Sequence, residues 1–194
     1  MNAEEVSVYL SLGSNLGNRR DNLERALELI GQRLKITQKS AIYETDPEDY
    51  LDQPRFLNLV CHAHTLLEPQ ALLALMQGIE VKVGRTPGRR SGPRIIDIDI
   101  LLYGDRRVNE PDLEIPHPRL DKRAFVLVPL NQIAPDLLHP VSGKPVKQLL
   151  GELEKGVQGV FHFAELWDDR SDDDEGAGDS EGESGGGADV SVDG

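Results

Sequence analysis

In GPRIIDIDILLYG, residues 92–104, two carboxylates interrupt a run of Ile and Leu. On a strand Asp97 and Asp99 share a face, their Cα atoms roughly 6.5–7 Å apart, while Ile96, Ile98, Ile100 and Leu102 point the other way. The apolar half suits a core. The acidic half, on alternation alone, is most simply a solvated sheet face. The residues before it shift that balance: Lys82, Arg85, Arg89, Arg90 and Arg94 put five bases into 13 positions that also hold Gly and Pro. Paired carboxylates beside such a loop are what a metal-bound polyphosphate needs. Mg²⁺ takes oxygen ligands from one or two carboxylates plus phosphate, and arginine forks clamp the remaining charge. Plain ion pairing between these arginines and acids is the alternative. Strand parity places Arg94 on the face away from Asp97.

Other candidates are weaker. GSNLGN, residues 13–18, lacks the Lys-Ser/Thr that closes a Walker A loop and fails GxGxxG spacing, so a turn with helix caps is the expectation. His62 and His64 alternate along one strand face without a third ligand and are expected to be structural. Cys61, the only cysteine, excludes a disulfide within the chain and a CxxC zinc site. His117 is held between Pro116 and Pro118 on a stiff loop, which favours function. Phe56, Asn58 and Phe125 carry little signal by themselves.

Elements that could position these residues follow from periodicity. Val6, Val8, Leu10 and Leu12 alternate with Ser7, Tyr9 and Ser11, a two-faced strand. Leu23, Leu27, Ile30 and Leu34 form a helical stripe, with Asn18 as N-cap and Asp21 in the first turn. Further strands are expected over 36–45 and 56–66, then a helix from Pro69 stopped by Gly84. A hairpin over 104–116, short helices within 119–133 and at VKQLLGELE, and a last strand in VQGVFHFAEL complete the chain. The order strand, helix, strand, strand, helix, strand implies an α+β, ferredoxin-like antiparallel sheet with helices packed on one face, leaving the other for function.

Composition divides the 194 residues unevenly. Residues 168–194 hold 11 Asp+Glu and one Arg, whereas the preceding 167 carry 23 acids and 20 bases. That tail of Gly, Ser and acid predicts disorder, because it has too little apolar surface to offset ordering. A basic partner or a high-salt habitat are alternatives, the latter disfavoured by the near-neutral remainder. The acidic N-terminus and the lack of any run near 18 apolar residues predict a cytoplasmic chain with no membrane partner.

Together YLSLGSNLGNRRDNL, YETDP, QPRFLNLV, QGIEVKVGR, GPRIIDIDILLYG and IPHPRLDKRAFVLVPL, with IAPDLLHP after them, resemble the 6-hydroxymethyl-7,8-dihydropterin pyrophosphokinase family over residues 6–140. The resemblance implies transfer of pyrophosphate from ATP to the pterin hydroxymethyl group, releasing AMP, in folate biosynthesis. It implies Asp97 and Asp99 as ligands of two Mg²⁺ ions and Arg85, Arg90 and Arg94 as catalytic loop arginines. Gln77, Glu80, Arg85, Arg94, Ile100, His117 and Arg123 match ATP-contacting positions. Thr45, Phe56, Asn58, Asp97 and Phe125 match the pterin pocket, with the two Phe rings sandwiching the heterocycle. Ser91 replaces the usual Trp, the loop after Arg85 is slightly short, and DPEDYLDQ is more acidic than the common pattern. The expected organisation is a pyrophosphokinase domain over 1–165 and a tail over 166–194, acting as a monomer without nucleic acid. Two rivals stand beside it: a nucleotidyl transferase, and a non-catalytic module binding RNA or a metabolite. The acidic strand speaks against RNA.

Overall fold

Alternation along Val6–Ser14 produces strand β1, whose Val8, Leu10 and Leu12 are fully buried on one face. Helix α1 (Arg19–Gly31) follows; the Asn18 side chain caps it by accepting from the Asp21 amide, and Leu23, Ala26, Leu27 and Ile30 form its buried stripe. Strands β2 (Lys35–Lys39), β3 (Ile42–Thr45) and β4 (Phe56–Thr65) lead to helix α2 (Pro69–Val83), which starts on Pro69 and stops at Gly84, φ 122°. Then come β5 (Asp97–Tyr103), the small hairpin β6 (Val108–Glu110) and β7 (Leu113–Ile115), helices α3 (Ala124–Ile133) and α4 (Val146–Gly151), and β8 (Val160–Ala164). This computed structural model describes residues 4–48, 51–86, 92–153 and 159–164. The acidic tail and the arginine-loop residues 87–91 lie outside the described residues.

The main sheet runs β5-β1-β4-β3-β8, with β2 also on β4, and the registered pairs are antiparallel. The single strand expected over 36–45 is two: β2 and β3 pair with successive parts of β4. The break falls at Ser40, whose amide donates to Val60 O (2.9 Å) and whose hydroxyl accepts from the Val60 amide (3.0 Å). Counting β2 and β3 as one edge gives the order fourth, first, third, second of a β-α-β-β-α-β unit.

Two cores flank the sheet. Leu10, Leu12, Leu57, Leu59, Ile98 and Ile100 pack with α1 and α2. Each buried Leu or Ile contributes about 1.5–3 kcal/mol. The expectation of helices on one face holds for α1 and α2 only. Val126, Leu127 and Leu130 of α3 and Leu149 of α4 pack on the opposite face against Tyr9, Val60, Leu101 and Leu102. Helix α3 carries Pro129 in its interior, which blurs its periodicity in the sequence. The open part of that face is therefore one end of the sheet. Leu102 also departs from strand parity: the β1–β5 register shifts between Tyr9 and Leu10, so Leu101 and Leu102 both join the second core and Tyr103 turns to the first. Among the described residues no helix is long and apolar enough to cross a membrane.

Candidate active site

At the open end of the sheet lies a cavity of about 380 Å³. Its floor is read from strand register: Asp97 of β5 faces Gly13 of β1, which faces Asn58 of β4, and in the next row Asp99 faces Ser11, which faces Val60. Thr45 and Phe56, a cross-strand pair, close one side. Arg94, Arg119, Arg123 and Phe125 complete the walls. Asn58 donates to Thr45 Oγ1 at 2.6 Å. Gly13 lies close beside it: a Cβ there would come to 2.6 Å from Asn58 Oδ1 unless that side chain moved.

The two acids have different surroundings. Asp97 Oδ1 accepts from Arg94 (2.5 Å) and Arg85 (3.0 Å), and Arg85 also pairs with Glu80. Arg94 reaches Asp97 despite the parity expectation, because β5 begins at Asp97 and alternation does not extend back to Arg94. Asp99 is met more loosely, by His117 Nε2 at 3.8 Å and Arg123 at 3.9 Å. Burial, then the neighbouring Asp97 charge, pushes the Asp99 carboxyl up to about 7. Burial, then Arg123 and Arg119, pushes His117 down to about 4, so this imidazole is neutral. Its Nδ1 accepts from the Arg119 amide (3.1 Å), which puts the ring proton on Nε2, 3.8 Å from Asp99 and beyond hydrogen-bond reach.

Segments distant in sequence are tied together behind the cavity. Asn15, only 2% exposed, accepts at Oδ1 from the Arg94 amide (2.7 Å), while its own amide donates to Arg94 O (3.0 Å). Its Nδ2 donates to Gln53 Oε1 and Pro54 O, both at 3.1 Å. One side chain thus fixes the Arg94 backbone and the loop before β4. At the mouth Glu48 pairs with Arg119 (3.3 Å) and Arg123 (3.7 Å). Sequence reasoning missed Gly13, Asn15, Ser11, Glu48 and Arg119. A Gly-Ser-Asn run continuing directly from a buried strand was the available signal for the first two.

Of the expected site residues, Thr45, Phe56, Asn58, Arg94, Asp97, Asp99, Arg123 and Phe125 line the cavity. Arg85 and His117 stand behind the acids. Glu80 is buried and accepts from the Ile98 amide (2.7 Å) as well as pairing with Arg85, so it holds the start of β5 in place; burial raises its carboxyl. The Ile100 side chain belongs to the first core, since it shares parity with Ile98. Gln77 is exposed on α2 away from the cavity lining. Arg90 lies outside the described residues.

The donor set suits a hard cation. Asp97 and Asp99 offer oxygen only, and among the described residues no cluster of three or more His, Cys, Asp and Glu could form an all-protein cage. Two carboxylates completed by phosphate oxygens is the arrangement Mg²⁺ accepts.

A model of the 7,8-dihydro-6-hydroxymethylpterin-pyrophosphokinase family matches residues 9–135. The chain belongs to that family. Within it, the chain is 42% identical over 147 residues to 2-amino-4-hydroxy-6-hydroxymethyldihydropteridine pyrophosphokinase of Aquifex aeolicus, covering 76% of this chain and 92% of that one. The enzyme of the same name in Bacillus subtilis is 40% identical over 158 residues, 80% of this chain and 95% of the other. The folic acid synthesis protein fol1 of Pneumocystis carinii is 46% identical over 141 residues, 72% of this chain; the chain spans only 19% of that longer protein. Among solved structures, wild-type Plasmodium falciparum HPPK-DHPS with pteroate superposes with TM-score 0.65 at 19% identity, over 77% of this chain and 44% of that one, a likeness of fold.

Proposed function

We infer that this chain transfers the terminal pyrophosphoryl group of ATP to the hydroxymethyl oxygen of 6-hydroxymethyl-7,8-dihydropterin, a step of folate biosynthesis. The observation that carries the reading is Asp97 and Asp99 on one strand face, opening into a cavity that also presents Phe56, Phe125 and Asn58. The hydroxymethyl oxygen forms a bond to the β-phosphorus as its proton is released to solvent, the bond from that phosphorus to the oxygen it shares with the α-phosphate breaks, and AMP leaves.

Asp97 and Asp99 would hold two Mg²⁺ ions, which when bound offset triphosphate charge and stabilise charge developing at the β-phosphorus. Arg85 and Arg94 on one side and Arg119 and Arg123 on the other supply further positive charge for the phosphates. Phe56 and Phe125 take the flat faces of the pterin, while Asn58, oriented by Thr45, meets its amide-like edge. His117, neutral and with Nδ1 already accepting from the Arg119 amide, does not accept the hydroxyl proton. Catalysis rests on placement and electrostatics; a well-oriented reactant pair is worth about 7–11 kcal/mol. The reading includes action as a monomer in the cytoplasm, with residues 1–165 as the catalytic domain.

Incubation with Mg²⁺, ATP and 6-hydroxymethyl-7,8-dihydropterin, followed by identification of the nucleotide product, tests it. AMP formed only when pterin is present is expected. ADP, or release of pyrophosphate as in a nucleotidyl transferase, would sink it.

A further inference from the structure

Ser11 sits in the cavity floor, 5% exposed. Its strand neighbours are Asp99 on one side and the apolar Val60 on the other. Among the described residues no protein group hydrogen-bonds its hydroxyl, although Asn58 and Asn15, the comparably buried polar groups nearby, are bonded at 2.6–3.1 Å. That hydroxyl opens into the cavity, where a polar group of a ligand can bond it in place of water.

Register indicates which part of a ligand that would be. Gly13, the preceding floor position on the same face, has no side chain and lies between Asn58 and Asp97, so a flat ring can cross β1 there. With Asn58 meeting the amide-like edge of such a ring, the opposite side, bearing the reacting arm, points to the β5 acids. Ser11 lies one strand repeat along β1, roughly 6.5–7 Å from Gly13, directly across from Asp99. Resting on the transfer reading above, we propose that the Ser11 hydroxyl hydrogen-bonds the hydroxymethyl oxygen of the pterin and so selects substrates carrying that hydroxyl. Ser11 touches the acceptor substrate and takes no part in nucleotide binding.

The discriminating experiment measures dissociation constants for 6-hydroxymethyl-7,8-dihydropterin and its 6-methyl counterpart in wild type and in Ser11→Ala. Both are bound in the presence of Mg²⁺ and an ATP analogue with a methylene bridge between the α- and β-phosphorus. The preference for the hydroxymethyl ligand is expected to shrink by about three- to tenfold in the variant, the range of one net hydrogen bond. Affinity for the 6-methyl ligand and for nucleotide should stay within about twofold. Because the readout is a ratio within each protein, it is insensitive to a smaller folded fraction. An unchanged ratio, or equal loss for both ligands, overturns the Ser11 assignment while leaving AMP formation by the wild type intact. Failure of the wild type to form AMP overturns the transfer reading and the hydroxymethyl assignment with it.

Discussion

The same face of β1 and β4 carries two polar clusters with opposite fates. At one end Gly13, Ser11 and Asn58 form the floor of a cavity beside Asp97 and Asp99. At the other, Ser7 and Thr37 occupy both ring nitrogens of His62, at 2.7 and 2.6 Å, and the imidazole stacks on Tyr9 at 4.6 Å. The strand period is identical. The surroundings differ: Arg85, Arg94 and Arg123 converge on the acids, whereas the His62 cluster satisfies itself locally and lines no part of the cavity. Function on a sheet face thus depends on what crosses above it from distant segments.

The sharpest way to break this comparison is to remove the charge of the acids. Asp99→Asn should lower turnover by about 10²–10³-fold, as expected for losing a group aimed at transition-state charge. Its thermal midpoint should stay the same or rise. Burial and Asp97 already oppose the Asp99 charge, so the native fold loses nothing when that charge is absent. The result would be activity lost without stability, the signature of a site kept for function. A large fall in thermal midpoint with activity falling in proportion would instead make Asp99 part of a structural ion-pair network.

How much of this was legible in the sequence follows from range. Burial of period two along Val8, Leu10 and Leu12, and the helical stripe of Leu23, Leu27 and Ile30, are local patterns, and they held. Capping by Asn18 and the stop at Gly84 are local as well. The displaced Leu102 depends on how β5 registers against β1, which no window of one strand contains. Asn15 is similar: its partners Arg94, Gln53 and Pro54 are all 38 or more positions away. The site residues drawn from family resemblance sorted the same way: Asp97, Asp99, Asn58 and Phe125 line the cavity, while Ile100 is in the core.

A middle-sized effect separates recognition from folding at the cavity end. Gly13→Ala would bring a methyl group to within 2.6 Å of Asn58 Oδ1, the far end of a side chain able to swing aside. Accommodation should therefore cost at most about 1–3 kcal/mol of stability, the usual range for a small overpacking. The swing, however, breaks the Asn58–Thr45 bond and tilts the group that meets the pterin. KM for the pterin should rise about tenfold or more, with nucleotide affinity much less altered, and steady-state kinetics with each substrate varied in turn would show the split. Equal weakening of both substrates would mean that Gly13 shapes the whole cavity and not the pterin edge.

The smallest effect belongs to the self-satisfied cluster and carries a sign in pH. Burial, then the neighbouring His64, holds His62 below its ordinary value in the folded chain. The unfolded chain therefore binds the proton more readily. Whatever stability the neutral His62 provides is fully present above the unfolded value near 6.5 and is lost as pH falls through that value. His62→Gln keeps a polar group between Ser7 and Thr37 but cannot titrate. At pH 8 the variant should be slightly less stable than wild type in denaturant unfolding, by about the 0.5–1.5 kcal/mol of one net hydrogen bond. That gap should narrow as the pH is taken to 5, while turnover at neutral pH stays within about twofold. A gap that widened on acidification would mean that the folded chain holds the proton more tightly than the unfolded one, so that His62 is stabilised in its charged form. A loss of turnover would join the two ends of the sheet into one functional surface, and the contrast between them would fall.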